Sequence, residues 1–487
     1  MVDCVNGCIF LFGVSGLFAL LAAALFWRLL PPKIKAPDQQ DRIISNITIW
    51  NPGGAPVENQ SIVISDGLIT DIRATKADDP EPLCNNCYVM PGLIDAHIHT
   101  PPKLAIGNQR LFSLLYLQYG VTTVRDLGQL DDSLPILMRN IDTGKFPGPR
   151  MYRCGPVLDG TPASFQGALS IQTATEATQT VATLAAEGVS CIKTYDRLPA
   201  EAFIAASKEA KKRGLPLMGH TPHSVKLTDI DNFEIAHFTG VPYLEDAPPE
   251  GRAYLSQDLI DMTDEDVADV IALMKQNNLS ILPTNANTLA RLTVSAPQRF
   301  PATQGLRHLP AFWQRAWPGI VSHPETEAEI EAELMASPVG LAFMQRARNA
   351  GIDVLAGTDV IMPYVIPGES LHLQLGLMAD AFESEEIALI AATQINGKHV
   401  DNGKVGRINV GAYADLVIFR NDPRQNLSRV RDWSFLITNG RLYTRADIDE
   451  AVARYNRHFN GVIYSSVMNF AYSLLSEDYR HTSGETE

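Results

Sequence analysis

"PGLIDAHIHT", Pro91–Thr100, ends an apolar run with two histidines two positions apart. Successive side chains of a strand point to opposite faces, so His97 and His99 share one face. Two imidazoles converging from one strand can hold a metal ion. Taken alone, the pair is equally a polar strand end. The reading depends on what else the chain sends to the same place.

Downstream, short apolar runs alternate with helical stretches. Strands are predicted in "LIDAHIH", "VTTVRDL", "RMYRCGPVL", "VSCIKTY", "PLMGHTP", "FEIAHF", "LSILPTNA" and "IDVLAGTD". Helical periodicity is clearest between them in "TEATQTVATLAAEG" and "AEAFIAASKEAKKRG". Eight strands with crossovers predict a (β/α)8 barrel over residues 91–399, within an α/β fold class. An open doubly wound sheet is the alternative, but its Gly-rich phosphate turn has no counterpart here. The longest interruption, about residues 287–350, carries "FWQRAW" and the acidic "PETEAEIEAELM". Such an insertion either covers the barrel mouth or decorates the surface.

Outside the barrel region, "SIVISDGLITDI" flanks Asp66-Gly67 and "FLITNGRLYT" flanks Asn439-Gly440, both two-residue hairpin signals. They predict a small sheet domain assembled from both chain ends, residues 43–90 and 400–445. Residues 446–487 read as a helical tail, and 31–42 as a Pro-containing linker.

The N-terminus differs in kind. Cys4–Trp27 contains no charged residue and is followed by Arg28 and Pro31-Pro32. A run of this length at about 1.5 Å per residue crosses a hydrocarbon core of roughly 30 Å. Only Asp3 precedes it, unlike the basic start of a cleaved signal peptide. Residues 4–30 are therefore expected to be a single-pass membrane anchor. Arg28, Lys33 and Lys35 favour a cytoplasmic C-terminal flank, whereas pairing of Cys84 with Cys87 would require an oxidising compartment. The side of the membrane stays open. A net charge of −15 argues against a general nucleic-acid binder.

The predicted strand ends carry His97 and His99 (first), Lys193 (fourth), His220 (fifth), His237 (sixth) and Asp359 (eighth). In a barrel those ends meet at one mouth. Singly, each has an ordinary explanation: a hydrogen-bonded histidine, a helix-capping aspartate, a lysine snorkelling to water. Six together are hard to attribute to chance.

These motifs, with "EIAHF", "AGTD" and the closing "GRINVGAYADLVIF", resemble the metal-dependent amidohydrolase superfamily in its imidazolonepropionase-like or prolidase-like branch. The resemblance covers roughly residues 43–445 and implies a distorted barrel beside a β-sandwich. It implies that His97, His99 and Asp359 hold one divalent metal ion, that His220 and His237 hold another, and that carboxylated Lys193 bridges them. Zinc suits this ligand set, with manganese, iron and cobalt as alternatives. A bridging hydroxide would attack an amide carbonyl, with Asp359 as catalytic proton carrier. Tyr195, His223, Arg125 and His372 are candidate substrate contacts. His223 departs from the family pattern, standing three residues after His220 where relatives often have a histidine two after.

The expected activity is hydrolysis of N-acyl amino acids or dipeptides. Alternatives are a lactone, ester or phosphotriester hydrolase, a cyclic-amide hydrolase or deaminase, and a non-catalytic assembly protein. The expected partners are a small-molecule substrate and the membrane; homo-oligomerisation is left open.

Overall fold

Two tight turns from opposite ends of the chain set up the smaller unit. Asp66 and Gly67 both have positive φ (50° and 75°), as do Asn439 and Gly440 (50° and 70°), the backbone a type I′ hairpin requires. The computed structural model describes residues 27–165, 167–244, 256–320 and 326–470. In chain order, β1 (Arg42–Ile49), β2 (Val57–Ser65), β3 (Leu68–Ala74) and β4 (Cys87–Pro91) come first. The barrel region follows with β5 (Leu93–Ile98), β6 (Val121–Asp126), β7 (Arg150–Arg153), β8 (Leu158–Asp159), β9 (Leu169–Ser170), β10 (Ile192–Thr194), β11 (Leu217–Gly219), β12 (Phe233–Ala236) and β13 (Ser280–Leu282). The chain then returns through β14 (Leu416–Phe419), β15 (Phe435–Thr438) and β16 (Arg441–Thr444).

The N- and C-terminal strands join in one seven-stranded sheet, ordered β16-β15-β14-β4-β1-β2-β3. Register shifts in the β1–β2 and β2–β3 pairs bend the sheet. Its strands then face one core containing Ile44, Ile62, Val89, Leu416 and Ile437.

The barrel strands run parallel. β5, β6 and β7 pair in that order, and β10, β11, β12 and β13 form a second run. Between them, Ser190 N donates to Arg153 O at 2.8 Å. The eighth position is an irregular segment, residues 353–360. It bridges β13 through Ile281–Val354 and β5 through Ile98–Val360, closing the circle. Side chains fill the interior, among them Ile94, Leu127, Met218 and Leu355, as in a packed barrel without a pore.

Helices cover the outside, including Ala174–Ala186 and Ala200–Lys212. Thr173 starts the first with a reciprocal capping box to Glu176. Between β11 and β12 only the short turn Leu227–Asp229 stands, so the barrel is distorted there. A cavity of about 580 Å³, lined by Phe203, Leu217, Asp231, Glu234 and His399, opens beside this gap. It lies at the N-terminal ends of the strands, the end away from the mouth.

The tail helix Arg445–Phe459 docks back onto the body, where Tyr455 Oη donates to Pro32 O at 3.0 Å. The predicted anchor lies outside the described residues except for its last four. Among the described residues, no helix is long and apolar enough to cross a membrane. Two disulfides are formed, Cys84–Cys87 and Cys154–Cys191.

Candidate metal centre

β5 delivers His97 from within the strand and His99 just past its end, both almost fully buried. Lys193 is the middle residue of β10. His220 and His237 directly follow β11 and β12. Asp359 comes from the irregular eighth segment, whose backbone is pinned by Asp359 N donating to His97 O at 2.8 Å.

The six side chains form one contiguous cluster. Asp359 Oδ1 lies 3.2 Å from His97 Nε2 and 3.3 Å from His99 Nε2, and Oδ2 lies 3.9 Å from His237 Nε2. Lys193 Nζ lies 3.3 Å from His97 Nε2. Ring centroids of His97 and His237 are 5.1 Å apart, and those of His237 and His220 are 5.0 Å apart.

The outer partners orient these rings. His99 Nδ1 is 2.9 Å from Gly128 O; a carbonyl only accepts, so Nδ1 carries a proton and Nε2 is turned towards Asp359. Asp196 Oδ1 accepts from His220 Nδ1 at 2.7 Å in the same way. Thr284 Oγ1 sits 2.5 Å from His237 Nδ1. Such partners set tautomer and direction in metal sites.

Electrostatics favour the ligand forms. Burial pushes the His97 imidazole well below its ordinary range and His237 down to about 3, so both rings are neutral. Burial alone would push the Asp359 carboxyl up, but its contacts with His97 and His99 outweigh this and lower it. Lys193 is lowered by burial to about 8, against the opposing pull of Asp359, Asp196 and Glu234. Its free amine is therefore accessible near neutrality.

Local backbone geometry is unusual at the same place. His237 and Asp359 have φ of 59° and 64°, left-handed conformations that cost non-glycine residues about 1–3 kcal/mol. Gly219 permits the close passage of Lys193: a Cβ there would stand 2.3 Å from Thr194 O and 2.9 Å from Lys193 Cδ.

One ligand atom from each of His97, His237 and Asp359 lies within 4.8 Å of the others. Neutral imidazoles and an ionised carboxylate, beside a lysine whose pKa is lowered by burial, are donor chemistry suited to a divalent cation. The residues fit such an ion.

Around the rim, Tyr195 stacks on His220 with centroids 4.1 Å apart. Phe165 lies 5.6 Å from Tyr195 and 5.0 Å from His99. Asn287 Nδ2 donates to Asp359 Oδ2 at 2.8 Å. Asp196, Thr284 and Asn287 were missed by sequence reasoning. Their signal was position: "IKTYD" and "PTNAN" place them just beyond the ends of strands four and seven.

Two candidate substrate contacts are corrected. Arg125 is 1% exposed; its guanidinium pairs with Glu234, and Nε donates to Ala96 O at 2.9 Å. It is a barrel-interior residue, spent on a buried carboxylate. His372 is also buried, its Nε2 2.8 Å from Tyr119 O, where it ties the helix Glu369–Phe382 to the end of another helix. His223 is half-buried beside the centre, with its backbone N–H donating to Asp196 O at 2.8 Å.

The long insertion divides. Its first helix, Asn285–Ser295, supplies Asn287 to the site. In "FWQRAW", Trp313 and Trp317 are buried, with Trp313 Nε1 donating to Asn108 Oδ1 at 3.0 Å. Those tryptophans attach the insertion to the barrel.

The amidohydrolase family model matches residues 88–444. No curated protein matches the chain. Among solved structures, a prolidase-like protein from Bifidobacterium longum is 22% identical, with 86% of this chain and 100% of that one covered and a TM-score of 0.63. Bottromycin amidohydrolase is 19% identical over 90% of this chain and 93% of its own, TM-score 0.64. A Xaa-Pro dipeptidase with methionine bound in its active site is 18% identical over 83% of this chain and 100% of its own, TM-score 0.59. These similarities establish the shared barrel fold.

Proposed function

The chain belongs to the amidohydrolase family of metal-dependent hydrolases, and from that premise we propose a binuclear enzyme that hydrolyses amide bonds of N-acyl amino acids or dipeptides. It would work beside a membrane, held there by residues 4–30. The observation that carries the binuclear reading is the position of Lys193, buried against His97, whose ring neighbours that of His237 and through it that of His220.

His97, His99 and Asp359 would hold one cation, and His220 with His237 the other. A neutral Lys193 amine adding to CO₂ would form an N–C bond and release a proton, and the carbamate, one negative charge shared over two oxygens, would be a ligand available to both cations. When bound, two divalent cations, zinc by ligand type, supply Lewis acidity to the scissile carbonyl and acidify water to a pKa near ~7.

The protein's own groups do the rest. Asp359, ionised and steered by the amide of Asn287, takes the proton of the attacking water and returns it to the leaving nitrogen. Asp196 and Thr284 keep His220 and His237 turned inward. Tyr195 and Phe165 form an aromatic wall on one side of the mouth, suited to the apolar part of a substrate. The prolidase-like and dipeptidase neighbours support a dipeptide or N-acyl amino acid as that substrate.

Elemental analysis of the purified protein and of Lys193→Ala tests the reading. About two metal equivalents, falling in the variant, with hydrolysis of N-acyl amino acids or dipeptides, are expected. One equivalent unaffected by the substitution removes the bridged site. Activity confined to lactones or esters replaces the substrate class.

A further inference from the structure

Four of the six cysteines are paired, and all four are buried: Cys84 and Cys87 at 7% and 0%, Cys154 and Cys191 at 0% and 1%. The second pair lies inside the barrel, among Ile94, Ala96, Met218 and Leu282. It joins the residue after β7 to the residue before β10, at the seam where Ser190 N donates to Arg153 O and β8 pairs with β10. A crosslink enclosed this way must close while the barrel folds, since afterwards no oxidant reaches it. Cytosolic thiol buffers oppose that; oxidising compartments promote it.

A second feature points the same way. The chain contains Asn46-Ile47-Thr48, Asn59-Gln60-Ser61, Asn278-Leu279-Ser280 and Asn426-Leu427-Ser428, each an acceptor pattern for N-linked glycan. Short patterns of this kind arise by chance, so their number carries nothing. Their placement does. Asn59, Asn278 and Asn426 are exposed, whereas Asn46 is half-buried. Asn59 and Asn426 belong to the small-sheet unit, and Asn278 sits before β13, at the end of the barrel away from the metal centre. None lies on a loop that follows a barrel strand into the mouth. Three bulky glycans could be carried with the substrate entrance clear.

We propose that the catalytic unit folds on the non-cytosolic side of a membrane, with both disulfides closed and N-linked glycans on Asn59, Asn278 and Asn426. Each disulfide forms by exchange with a protein disulfide oxidant, which takes two electrons and two protons and leaves as a dithiol. Each glycan forms a C–N bond from Asn Nδ2 to the sugar of a lipid-pyrophosphate-linked oligosaccharide. The lipid pyrophosphate leaves and the amide loses a proton. The positive flank at Arg28, Lys33 and Lys35 argues for the opposite side. Its bias of three charges is the weaker constraint, because two covalent links inside the folded unit depend on the compartment itself.

The inference does not rest on the hydrolytic reading. The full chain, expressed in eukaryotic cells, is compared by gel mobility before and after an endoglycosidase that removes N-glycans. Its cysteines are alkylated in denaturant, with and without prior reduction. We expect a mobility shift that shrinks by one step in each of Asn59→Gln, Asn278→Gln and Asn426→Gln, and four cysteines blocked until reduced. A chain without glycan whose four cysteines alkylate freely overturns the proposal. Glycan with free thiols overturns the disulfides, and closed disulfides without glycan overturn the modification sites.

Discussion

The barrel buries two polar clusters, and they are built on opposite rules. At the lower end, Arg125 pairs with Glu234, Glu234 also meets His399 Nδ1 at 3.4 Å, and His399 Nε2 meets Asp353 at 2.9 Å. Lys398 adds a second cation to Asp353 at 2.6 Å. Charges alternate, each carboxylate standing between two cationic groups. Burial pushes His399 down, but its two carboxylate partners outweigh this and raise it, while His399 and Lys398 hold Asp353 at about 2. At the upper end, neutral imidazoles and one carboxylate face one another around Lys193. There the ligand atoms of His97, His237 and Asp359 converge within 4.8 Å of one another, a set that fits an added cation. A buried polar cluster closed on itself is architecture; one whose lone pairs converge is a binding site.

The contrast can be broken most directly at Asp359. Asp359→Asn is expected to lower kcat by about 10³-fold, the range for removing a general base, with the thermal unfolding midpoint close to that of the parent. Near-normal turnover would remove Asp359 from proton transfer.

At the lower cluster the loss should fall on stability. Arg125→Met leaves Glu234 buried without its cation and is expected to cost about 3–5 kcal/mol in denaturant unfolding. Activity per folded molecule should be retained. Adding Glu234→Leu should recover most of the loss. A drop in kcat matching that of Asp359→Asn would mean that the two clusters work as one.

A smaller effect tests the partners of the ligands. Thr284→Val deletes the hydroxyl at His237 Nδ1 and should weaken metal affinity about 10–100-fold, read by competition with a chelator. Unchanged affinity would make Thr284 a packing residue.

The smallest effect is a pH dependence. His399 has a raised pKa in the fold, so its contribution is fully present below its unfolded pKa. It is lost as pH rises through the higher folded value, about 1.4 kcal/mol for each unit of the shift. Unfolding midpoints should therefore decline above pH ~6.5, and His399→Gln should flatten that decline. A variant with the parent's slope would assign it to another group.

The barrel's parts were legible because each strand is an apolar run bounded by turn signals, and the candidate ligands sit at the ends of those runs. Asp66-Gly67 and Asn439-Gly440 were legible because their turn type demands positive φ. Arg125 and His372 were misread for one reason: a polar residue on a strand or helix start does not announce whether a buried partner awaits it. Arg125 has Glu234, 109 positions away, and His372 has the carbonyl of Tyr119, 253 positions away. Cys154 and Cys191 escaped notice because only barrel closure brings strands three and four side by side.

Periodicity, turn chemistry and residue type are local properties, and the sequence by itself determined what depends on them: an alternating α/β chain, strand-end histidines, and β-rich pieces at both ends. Whether the small unit is one bent sheet or two, which buried charges cancel and which converge, and which cysteines meet were decided only in three dimensions. Each depends on contacts between residues tens to hundreds of positions apart. The lowered pKa values of His97 and Asp359 arise from burial and from their mutual contacts, which exist only once the barrel has closed.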